Sequence, residues 1–95
     1  MKGVQTHYRL ATVQVVTISG TSAPVTNAFG SQTYAVRVVA DTDSYITFGA
    51  SPTATTSDVL LPANTVEYFT VTPGQKIAFI QKTAGGLGNV TELTQ

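Results

Sequence analysis

Apolar and β-branched residues alternate with polar ones along much of this chain at a period of two, and where the alternation lapses the run becomes wholly apolar. Thr, Val, Tyr, Phe and Ile dominate these runs, the residue types that suit a pleated surface. No window combines apolar residues at i, i+3, i+4 and i+7 with strong helix formers, so the pattern predicts an all-β chain. A first strand lies in "RLATVQVVTIS", ended by Gly20 and the turn-rich "GTSAPVTNAFGSQ". "TYAVRVVA" then sets Tyr34, Val36 and Val38 on one face and Arg37 and Val39 on the other. With "DTDS" as a turn and "YITFG" as its return, it predicts a hairpin over residues 33–49.

"DVLLPA" reads as a short strand, because Pro62 has no N–H to donate and suits a strand end or an edge. "VEYFTV" and "KIAFIQ" flank Pro73 and Gly74 and predict a second hairpin through a type II turn, Pro presetting φ and Gly supplying a positive φ. "NVTELT" is the last strand, after "AGGLG" as a flexible turn. The expected fold is a single small β-sandwich of about seven strands, of jelly-roll or immunoglobulin-like type, since both fit this spacing of turn signals. No repeat, charged tail or break in composition divides the chain, so residues 1–95 form one domain, with residues 1–9, "MKGVQTHYR", as an N-terminal arm.

Several strands are apolar on both faces, as in "VRVVA", "YITF" and "KIAFI", which calls for cover on the outside by a neighbouring subunit or by crossing loops. Charge points the same way: 11% of residues are charged, against roughly 25% in an average soluble domain. A surface of Thr, Ser, Asn and Gln loses little on desolvation, whereas ions lose much, so the composition favours a homo-oligomer or a subunit of a larger assembly. Five basic residues balance five acidic ones, leaving no field to draw in phosphate backbones or anionic lipid; neither nucleic acid nor membrane is an expected partner. The start of the chain breaks its apolar run with Gln, His, Tyr and Arg, unlike a signal peptide, and the expectation is a soluble protein made in the cytoplasm.

Catalytic chemistry finds few residues to work with. There is no cysteine, hence no disulfide, thiolate nucleophile or Cys-bound zinc, and the single histidine, His7, falls in the arm. Asp41 and Asp43 in "ADTDSY" read as turn residues whose carboxylates accept from backbone N–H groups; the full calcium-loop pattern is missing. "TAGGLGNV" lacks the order of a phosphate loop. No enzyme activity, metal or cofactor is expected. A lectin-like alternative rests on Tyr34 and Tyr45, which a hairpin around "ADTDS" would bring together as a stacking platform for a glycan.

The stretch "YAVRVVADTDSYITFGASPTATTSDVLLPANTVEYFTVTPGQKIAFIQ" resembles small accessory virion proteins of tailed bacteriophages, and the resemblance covers roughly residues 28–94. It lies in the order of a "VRVVA" strand, an "ITFG" strand, a Ser/Thr/Ala loop, "LPA" and "EYFTVTPGQKIA". It implies a decoration or cement protein: a non-enzymatic β-sandwich bound in many copies to the major capsid protein or another virion protein, on the capsid surface. The rival expectation is a carbohydrate- or receptor-binding module of a tail or fibre. Small side chains order at little entropic cost, so the loop residues Ala50, Ser51, Pro52 and Thr53, continuing through Ala54, Thr55 and Thr56, are candidate contacts. Val4, His7 and Tyr8 of the arm are the others.

Overall fold

In the computed structural model, residues 9–94 are described, and every regular element among them is a strand. The strands are β1 (Arg9–Ile18), β2 (Ala23–Pro24), β3 (Ala35–Ala40), β4 (Ser44–Gly49), β5 (Val59–Leu61), β6 (Glu67–Thr70), β7 (Lys76–Gln81) and β8 (Gly86–Thr94). They form two antiparallel four-stranded sheets, a first in the order β1-β8-β3-β6 and a second in the order β2-β7-β4-β5. Each strand in the first half pairs with its mirror position in the second: β1 with β8, β2 with β7, β3 with β6, β4 with β5. That is one long hairpin, with residues 50–58 at its tip, rolled up so that β3 also meets β8 and β4 meets β7. Eight strands in this order make a jelly roll; an immunoglobulin-like sandwich pairs its strands differently.

The expected sandwich is therefore present with eight strands where seven were predicted. The additional one, β2, is two residues inside a stretch read as loop, and Pro24 hides it from propensity. At the start of the chain, Arg9 belongs to β1, opposite Thr94, and not to an arm. β8 also begins earlier than expected, taking in Gly86 and Gly88.

Neither predicted hairpin forms. β3 and β4 lie in different sheets, and the residues between them arch from one sheet to the other. The physical reason is that each strand has a face to bury: Val36, Val38 and Ala40 of β3 and Ile46 of β4 fill the space between the sheets. The carboxylates at the arch hold the two sides apart. Asp41 Oδ1 accepts from the Leu87 N–H at 2.7 Å, tying the arch to β8, while Asp43 Oδ1 accepts from the Ala63 N–H at 2.8 Å, beyond β5. The two aspartates do accept from backbone N–H groups, but not from nearby ones within their own turn as expected: the partners lie 46 and 20 residues away, across the fold.

The Pro73-Gly74 turn has the expected geometry, with Gly74 at φ 90° and the Gln75 N–H donating to the Thr72 carbonyl at 3.1 Å. It too crosses between sheets, from β6 to β7, and joins no hairpin. Gly86 meets a different demand. A Cβ there would collide with the Asp41 carboxylate and stand 2.9 Å from Thr42 Cγ2, so glycine is what lets the arch lie against β8.

The core joins Val16, Ile18, Val36, Val38 and Val90 of the first sheet to Ile46, Leu61, Ile77 and Phe79 of the second. Full burial of such a side chain stabilises by about 1.5–3 kcal/mol, which is the main support available to a chain without disulfides. At one end, the loop after β2 acts as a plug: Phe29 packs on Phe48, and Phe48 on Phe69, at centroid distances of 6.4 and 5.3 Å. Buried Glu92 secures this loop by accepting from Thr33 Oγ1 and, at 3.0 Å, from the Gly30 N–H. Gln14 adds a reciprocal pair to Asn27, donating from Nε2 to its carbonyl and accepting from its N–H, both at 2.9 Å.

Two stability outcomes follow from these contacts. Gly86→Ala is expected to lower unfolding free energy by about 2–3 kcal/mol in urea titration, through overpacking and loss of the Asp41 bond. Ser44→Ala is expected to be neutral or to raise the midpoint, because the Ser44 hydroxyl is fully buried and has no hydrogen-bond partner among the described residues. A fall of more than about 1 kcal/mol for Ser44→Ala would contradict that account.

Candidate interaction surface

Side chains alternate along a strand, so the residues that face away from the core can be read from the register. On the outer face of the first sheet, Val13, Thr91, Arg37 and Tyr68 form one row across all four strands. Val15, Asn89 and Val39 form the next, and Thr17 with Leu87 the one after. Their neighbours Val16, Val36, Val38 and Val90 point inward and are buried. Val13, Val15, Leu87 and Tyr68 remain open to water, Tyr68 at 63% and Val15 at 62%, and Leu10 near the start of β1 is 73% exposed. Arg37, half-buried, is the only ionisable side chain in these rows apart from the Tyr68 phenol. Scattered exposed apolar residues are ordinary; here Val13, Val15 and Leu87 adjoin one another across β1 and β8, while Tyr68 stands apart on β6, beyond Thr91 and Arg37.

The second sheet has a smaller counterpart, the row of Leu60, Tyr45 and Ile80. Leu60 is exposed, and the other two are half-buried.

The loop predicted as a contact sits at the tip of the rolled hairpin, where Ala50, Ser51, Thr53, Thr55 and Thr56 are exposed and Pro52 is half-buried. Ala54 differs from expectation: it is buried, and its N–H donates to Ser22 Oγ at 2.8 Å, so it is not available to a partner. The segment is also organised from within. Asp58 Oδ2 accepts from the Thr55 N–H at 2.7 Å and from the Thr55 hydroxyl, while the Asp58 N–H returns a bond to the Thr55 carbonyl at 3.0 Å. The polar groups of Thr55 thus serve the turn, while Ser51, Thr53 and Thr56 stay exposed. Val4, His7 and Tyr8 lie outside the described residues.

Tyr34 and Tyr45 are not brought together. Tyr34 precedes β3 and Tyr45 lies in β4, so the six residues of β3, roughly 20 Å of extended chain, separate them, and the two strands belong to different sheets. The stacking platform expected from a β3–β4 hairpin is lost with that hairpin. No three of His, Cys, Asp and Glu stand close enough to hold a metal ion among the described residues.

The outer face of β1 and Tyr68 were not singled out in the sequence, although a signal was present. In "TVQVVTI", Val16 and Ile18 share one parity with Gln14, and Val13 and Val15 occupy the other with Thr17. One face must be the core, so two valines are left outside.

Compared with known protein families, curated proteins and solved structures, the chain finds no match. The class is set by the architecture alone: a small jelly roll with an apolar outer face on its first sheet.

Because Val13 and Tyr68 already face water, replacing them should leave folding almost untouched. Val13→Thr and Tyr68→Thr are each expected to shift unfolding free energy by no more than about 0.5 kcal/mol, measured at dilute protein concentration. A larger loss would mean that these side chains support the domain itself.

Proposed function

We propose that this protein is a non-enzymatic structural subunit of a phage particle, a decoration or cement protein bound in many copies to the major capsid protein or another virion protein. The observation that carries the reading is the set of exposed apolar side chains on the outer face of the first sheet, Val13, Val15 and Leu87 toward the β1 edge and Tyr68 on β6. Covering such a face gains about 25 cal/mol per Å² of apolar area, and here almost no ion must be stripped of water in return. The resemblance of residues 28–94 to accessory virion proteins supplies the setting, the capsid surface, reached after synthesis in the host cytoplasm. Jelly rolls are common in viral capsid and lectin domains, which agrees with that setting by analogy only.

The placement of the acids supports a non-enzymatic role. Asp41, Asp43, Asp58 and Glu92 each accept from a backbone N–H, and no three acids cluster among the described residues. The carbohydrate-binding alternative has no such support, since its two tyrosines are apart.

The test is co-sedimentation of the purified chain with capsids stripped of accessory proteins, at low and high salt and with added sugars. Saturable, stoichiometric binding is expected, and it should survive high salt because apolar burial is not screened. Absence of binding, or release by a sugar, would overturn the proposal.

A further inference from the structure

A jelly roll has four sheet edges, and three of them are protected here. β2 is two residues long and contains Pro24, β5 is three residues long and is followed by Pro62, and β6 is four residues long and opens with Glu67. Shortness, proline and charge are the usual means of preventing one sheet from adding to another. β1 has none of them. It runs for ten residues, pairs among the described residues on one side only, with β8, and carries neither charge nor proline after Arg9. Its one interruption is the register shift between Leu10 and Val13, which leaves residues 13–18 as a regular ladder.

We propose that the β1 edge is a self-association site, at which a second copy of this chain adds antiparallel across a two-fold axis and joins the two first sheets into one of eight strands. A single open edge gives a closed dimer, because after one pairing no further edge is free, whereas two open edges would give fibres. Charge permits it. The paired segment is uncharged, and the two Arg9 residues fall at opposite ends of the contact, well over a Debye length of about 8–10 Å apart. The pairing also brings Val13 and Val15 of each copy beside those of the other, making one apolar surface out of two.

Area limits its strength. A contact along the roughly 20 Å of the regular ladder 13–18, and as deep as the 20 Å short extent of the molecule, covers roughly 400 Å² per copy, about half the 800 Å² of a standard interface. The dimer should therefore depend visibly on concentration. This inference rests on reading the chain as an assembly subunit only for its purpose; the edge itself is the argument.

Analytical ultracentrifugation across a wide concentration range, with hydrogen exchange at both limits, tests it. The expected result is a reversible monomer–dimer equilibrium in which amide protection in β1 rises with concentration. Val15→Lys should weaken association at least tenfold by placing like charges across the seam, while Thr70→Lys on the β6 edge should not. Circular dichroism confirms that both variants fold. A monomer at every concentration would overturn the proposal, as would a dimer that leaves β1 amides unprotected, which is the signature of face-to-face packing. Protection of β1 appearing only when stripped shells are added would also overturn it, and would assign the edge to a capsid strand. Shell binding by a chain that stays monomeric leaves the decoration reading intact, so the two can fail separately.

Discussion

The fold depends on β8 entering between β1 and β3. β8 supplies the ladder on both sides, Arg9 to Thr94 at one margin and Ala40 to Gly88 at the other, and without it the first sheet would be two unrelated pieces. Three local requirements are met along this one strand. Gly86 allows the Asp41 arch to close on it, Val90 enters the core beside Val38, its partner on β3, and Glu92 turns a buried carboxylate into an anchor for the loop that carries Phe29. An acid so deeply placed is tolerable only because donors face it.

Strand positions were legible because alternation and turn residues are local signals. Val36 and Val38 declare a strand whatever lies beside it, and Pro73 with Gly74 declares a turn. Pairing was not legible in the same way. A tight turn between two strands is compatible with a hairpin in one sheet or an arch between two, and the choice is made by Asp41 and Asp43 finding N–H groups 46 and 20 residues away. β2 escaped notice because its pairing with Ala78 and Phe79, not its propensity, makes it a strand.

The interaction surface was half legible. Apolar residues on both faces of "VRVVA", "YITF" and "KIAFI" pointed to outer faces in need of cover, but no residue of those stretches is exposed; the exposed apolar side chains of the first sheet lie on β1, β6 and β8 instead. The particular loop chosen from its small residues was misjudged in part, because Ala54 and the Thr55–Asp58 turn satisfy one another and Ser22. Small polar side chains lower the entropic cost of any ordering, within the chain as readily as between chains. What separates the two cases is the geometry of the acceptors.

The mirror pairing of the rolled hairpin has a consequence for biosynthesis. β1 is synthesised before β8, so a ten-residue strand with no charge after Arg9 waits for its partner while residues 19–85 are made. The other strands of the first sheet, β3 and β6, can pair with each other earlier, but among the described residues β1 has no ladder partner until β8 emerges. Pairings this remote in sequence are slow to close. Polysomes would then display many unpaired copies of the same edge close together, and the nascent chain's choice between its own β8 and a neighbour's β1 would be settled by how quickly the residues between them are synthesised.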